Sequence, residues 1–145
     1  MNKKVSLAIL SIILIIAITL FAIGSNLLTA NILGIPFGNL LAWILFIALH
    51  LIFYGLNDYY TKRRTKFDRV IRILSLFLLS VAFFWFLIAY LLSGNINFNF
   101  SGSATTYIGS SKAAILYWQL IYILGISPFV LSIVYRLYLF ITRSK

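Results

Sequence analysis

Val5–Ile23 runs for nineteen residues without a charged side chain. At about 1.5 Å per residue this makes a helix of about 28 Å, close to the thickness of a bilayer's hydrocarbon core. Three more apolar runs follow, Leu40–Leu56, Val70–Leu92 and Ala113–Leu139. A water-soluble fold has no way to cover itself with such material. The chain is 63% hydrophobic and 10% charged, with a mean hydropathy of +1.06, whereas soluble domains are about 25% charged. The fold class expected is therefore an all-α integral membrane protein, a single domain of four transmembrane helices. Ala22-Ile23-Gly24 resembles a signal-peptidase site, but a signal core is only about 7–15 residues long. The first run reads as a retained span.

The connections set the threading. Asn57–Arg72 holds both acidic residues, Asp58 and Asp68, and six of the twelve basic ones. Its Lys62, Arg63, Arg64, Lys66, Arg69 and Arg72 form a topogenic cluster with affinity for anionic lipid headgroups. Such clusters resist translocation and mark the cytoplasmic side. With this hinge and both termini inside, eleven of the twelve basic residues are cytoplasmic and only Lys112 is outside. The inverse threading would expose eleven, against the positive-inside rule. The expected location is a cell membrane, most simply the plasma or cytoplasmic membrane, in multi-pass form.

Two external loops remain, residues 24–38 and 93–112. Gly, Asn and Pro36 interrupt the first. In the second, Asn95–Ser101 alternates polar and apolar residues, a strand-like period. It sets Ile96, Phe98 and Phe100 on one side as a sticky patch for a partner. Asn99-Phe100-Ser101 is also an N-x-S glycosylation sequon on the external side. In the fourth span Pro128 removes one backbone donor beside Gly125, where a kink is expected.

Chemistry-bearing side chains are few. His50, the single histidine, lies in the second span, on one face with Trp43, Tyr54 and Asn57. An imidazole there serves either as a ligand or proton-handling group, or as a neutral group bonded to a neighbouring helix. The second reading fits a chain with no other histidine and no cysteine. Gln119 and Tyr122 form a polar patch on the fourth span, for a small pocket or an interhelical bond. His50, Gln119 and Tyr122 are the candidates for any cofactor contact, although no cofactor is expected within the single chain.

The missing residues exclude more. Without cysteine there is no disulfide, thiolate metal site or iron–sulfur cluster. Small multidrug-resistance transporters need an intramembrane glutamate, and this chain has no glutamate. Vitamin-K-epoxide-reductase-like enzymes need paired cysteines. Neither a Ser-His-Asp set nor a Gly-rich phosphate loop is present. The charge of +10 sits at the ends of apolar spans, leaving no basic face for nucleic acid. The reading that remains is a small non-catalytic accessory subunit of a larger membrane complex, respiratory or secretory, with other membrane subunits as partners. The alternative is a homo-oligomeric transporter or channel that uses His50 and Gln119.

Overall fold

The computed structural model describes residues 3–32, 34–57, 65–94 and 108–143. These residues are mostly helical: α1 (Lys3–Ala22), α2 (Phe37–Leu56), α3 (Lys66–Phe83), α4 (Trp85–Ser93) and α5 (Ser111–Arg143). Three of the helices are long and apolar enough to cross a membrane, and α3 with α4 makes a fourth span if the bent pair counts as one.

α1 stops where the backbone turns left-handed at Gly24 (φ 59°). There the Ser25 amide bonds the Leu20 carbonyl at 3.2 Å and the Gly24 amide bonds that of Phe21 at 3.2 Å. This paired closure of a helix C-terminus favours glycine, which has no Cβ to clash at positive φ. A 3₁₀ turn follows at Asn26–Thr29, capped by the Ser25 hydroxyl. The short antiparallel strands β1 (Asn31–Ile32) and β2 (Ile35–Pro36) then return the chain to α2. The strand pair in the described residues thus lies in the first connection, whereas the strand-like pattern Asn95–Ser101 falls outside them.

α1 and α2 form an antiparallel hairpin. At one end Ala17 packs with Leu28 and Leu41, flanked by Leu20, Phe21 and Phe37. At the other end Leu7 lies against Gly55, where an added Cβ would come within 2.9 Å of the Leu7 side chain. α5 runs back along α3 and α4. Phe67 stacks on Tyr138 at 4.2 Å, Ile71 packs with Tyr135, and Trp85 meets Tyr117 at 5.3 Å. These contacts gather Lys3, Lys4, Lys66, Arg69 and Arg136 toward one end of the bundle and leave Lys112 at the other.

The third span starts earlier than its apolar run suggests. Thr65 and Asp68 form a capping box: the Thr65 hydroxyl accepts from the Asp68 amide at 3.1 Å, and the Asp68 carboxylate accepts from the Thr65 amide at 3.3 Å. Two otherwise orphaned amides are satisfied this way. Lys66, Arg69 and Arg72 therefore belong to the first turns of a helix, all three exposed, instead of to a loop.

That span is not straight. α3 and α4 meet at Phe84 with a bend of 56°. No proline or glycine lies there, and the break is held from outside. The Trp43 indole N–H donates to the Phe83 carbonyl at 2.8 Å, and its ring packs on Phe83 and Phe86. A side chain from α2 thus occupies an acceptor that the interrupted helix exposes. Trp43→Phe keeps an aromatic ring and removes the donor. We expect a loss of about 1 kcal/mol, read by reversible unfolding in bicelles; unchanged stability would show that this bond does not hold the bend. α5, by contrast, continues through Pro128 without a break in the helix.

Candidate functional site

Of the buried polar residues among those described, His50, Asn57, Ser75 and Ser132 lie in the half of the bundle toward the basic end, and Ser93 lies at the other. Nearest that end, Asn57 at the C-terminus of α2 reaches α5. Its amide nitrogen donates to the Phe53 carbonyl and to Ser132 Oγ, each at 2.9 Å. The Ser132 hydroxyl lies 3.1 Å from Asn57 Oδ1, and Arg136 Nε donates to the same oxygen at 3.3 Å. Asn57 and Ser132 are both buried. Arg136 of α5 thereby anchors the end of α2. The sequence marked Asn57 by its helical face, but not Ser132, because a pairing across 75 positions depends on helix packing.

Further in lies His50, 5% exposed. Its Nδ1 sits 2.9 Å from the Phe46 carbonyl of its own helix. A carbonyl only accepts, so Nδ1 carries a proton, and in the neutral ring Nε2 is then a bare acceptor. The expected partner on a neighbouring helix is thus replaced by an i−4 bond within α2. Among the described residues, Nε2 and the buried Ser75 Oγ of α3 have no hydrogen-bond partner. Both residues line one small cavity with Phe53, Tyr54, Pro128 and Leu131. The inward face Trp43, His50, Tyr54 and Asn57 thus touches the α3–α4 break, this cavity and α5 in turn. Ser75 escaped sequence reading because one serine in an apolar helix is commonplace.

Gln119 and Tyr122 are not part of this site. Both are exposed on α5, and Gln119 lies about two and a half helical turns before Pro128. Between them and the cavity lies the main core of Phe46, Ala82, Trp85, Tyr117 and Leu124. Lys66, Arg69 and Arg72 lie exposed along the start of α3, where they can meet anionic groups. Lys62, Arg63 and Arg64, the patch Ile96, Phe98 and Phe100, and the sequon asparagine Asn99 lie outside the described residues. Among the described residues no cluster of three His, Cys, Asp or Glu side chains is suited to a metal ion. No family model, curated protein or solved structure matches the chain.

Proposed function

We propose that this chain is a four-span membrane protein that serves as a non-catalytic accessory subunit of a larger membrane complex. The basic end faces the cytoplasm, and its lysines and arginines meet anionic lipid. The observation that carries the reading is α1, whose twenty residues bury only Ala17 within the chain's own fold. Ile9, Ile12, Ile15, Ile16 and Ile18 all stay exposed. In a bilayer such a helix is free to pack against lipid or against a helix of another subunit. Binding and packing are what these side chains can do: within the apolar runs, the groups that would move a proton or attack a substrate are His50 and a few hydroxyls. The core residues Phe46, Trp85, Tyr117 and Leu124 also fill the space between the polar junctions and the Lys112 end, so the described residues of a single copy offer no polar path. The external patch Ile96, Phe98 and Phe100 supplies a second contact for partner subunits in this reading.

One observation favours the homo-oligomeric transporter. The Gln119 amide is exposed on an otherwise apolar face with Ile115, Leu116 and Trp118. A polar group inside a hydrocarbon layer is costly without a partner. A second copy could cover it and line a path between chains. Extraction in mild detergent, sizing, and mass spectrometry of co-purifying chains separate the two readings. We expect several different subunits in one stable particle. A stable particle built of this chain alone would replace the accessory role with the transporter.

A further inference from the structure

We propose that the cavity between α2, α3 and α5 is a water-binding site in which one water bridges His50 Nε2 and Ser75 Oγ. His50 Nε2 and Ser75 Oγ are buried without partners among the described residues, and both residues line one cavity. An unsatisfied buried acceptor or hydroxyl is costly, and more so in a bundle surrounded by hydrocarbon. His50 is 5% exposed and Ser75 8%, so bulk water does not reach them freely. The centre of a water-sized sphere has about 10 Å³ in which to move there, close to the space that one water needs.

The chemistry of the walls selects the ligand. His50 Nδ1 is committed to the Phe46 carbonyl, so Nε2 can only accept. Ser75 Oγ both donates and accepts. A water that gives one hydrogen to Nε2 and accepts from the Ser75 hydroxyl satisfies both. A second hydrogen remains for another acceptor, and Pro128 creates one nearby. Proline has no N–H, so the Leu124 carbonyl one turn earlier loses its helical donor. Ordered water is a common way of satisfying such freed carbonyls in membrane helices. Phe53 and Leu131 close the space with apolar groups, which leaves no room for a larger solute. A metal ion is disfavoured by the same walls, because they offer one imidazole and no carboxylate or thiolate. The water does the joining that a direct His50–Ser75 bond would do if α2 and α3 were closer.

The test uses the intact chain in bilayers with ¹⁵N-labelled histidine. His50 is the only histidine, so the ring signals come from one site. Solid-state NMR should show Nδ1 protonated, Nε2 bare, and magnetisation transfer from water to the ring. A protonated Nε2, or no transfer from water, overturns the site. A double-mutant cycle then tests the bridge. Ser75→Ala and His50→Asn should couple by about threefold to tenfold in the unfolding equilibrium, in the range of intramembrane hydrogen bonds. Single-variant factors that simply multiply would remove Ser75 from the site and overturn the bridge. The NMR result needs no variant to fold.

Discussion

Trp85→Ala should destabilise the bundle by about 3 kcal/mol, the low end of the range for large aromatic truncations in packed cores. Trp85 is 3% exposed and stands just past the bend, where α4 begins. It meets Phe46 of α2 edge to face at 5.6 Å and Tyr117 of α5 at 5.3 Å. One side chain therefore links three helices. The low end applies because a lipid-facing reference is as apolar as the core, so the lost term is packing more than transfer from water. Trp85→Phe retains most of the ring contact and should cost about 1 kcal/mol. Phe84→Ala is the control, since Phe84 is 56% exposed and its loss opens no internal space. Reversible unfolding in bicelles gives all three numbers. If Trp85→Ala and Phe84→Ala were equally mild, the aromatic column would not be what holds α4 to the bundle.

The bend that Trp85 follows shows where sequence reading stops. Length and charge alone indicated four helical runs, because a crossing of about 30 Å needs about twenty apolar residues and few other structures use such runs. The same reasoning saw Phe83-Phe84-Trp85-Phe86 as the middle of one helix. It contains no breaker, and at its interruption the Phe83 carbonyl accepts from Trp43, forty positions away. Pro128 carries the local signal for a kink and lies inside α5, which stays one helix around it. Local rules name the residues that weaken a helix; packing decides which weakness is used.

The site was legible to a similar depth. That Trp43, His50, Tyr54 and Asn57 share one face followed from helical spacing, and in the structure His50 and Asn57 are buried on it while Trp43 and Tyr54 are half-buried. Its partners did not follow, because Ser75 and Ser132 are ordinary residues until helices are placed in register. Gln119 and Tyr122 suggested a small pocket or an interhelical bond because they are polar, but both are exposed, and polarity in a sequence says nothing about which way a helix face turns. The hinge is a middle case. Its basic residues were evident, while the Thr65–Asp68 box that makes Lys66, Arg69 and Arg72 helical needed the Thr-x-x-Asp spacing to be read as a cap.

Cysteine labelling should give an all-or-none answer on the threading. The chain has no cysteine of its own, so Lys66→Cys and Ser111→Cys each report one position. Both positions are exposed at opposite ends of the bundle. In intact cells a membrane-impermeant thiol reagent should modify position 111 and leave position 66 untouched; after permeabilisation both should react. The physical basis is the separation of charge. The α1–α2 hairpin and the α3–α5 contact bring Lys3, Lys4, Lys66, Arg69 and Arg136 to one end, and Lys112 stands at the other. Each basic residue near a span end biases that end against translocation, and attraction to an anionic inner leaflet adds about 1 kcal/mol per residue. Removing the single charge of Lys66 leaves that bias in place. Labelling at 66 but not at 111 in intact cells would invert the bundle in the membrane, and would put its basic end where the positive-inside rule forbids it.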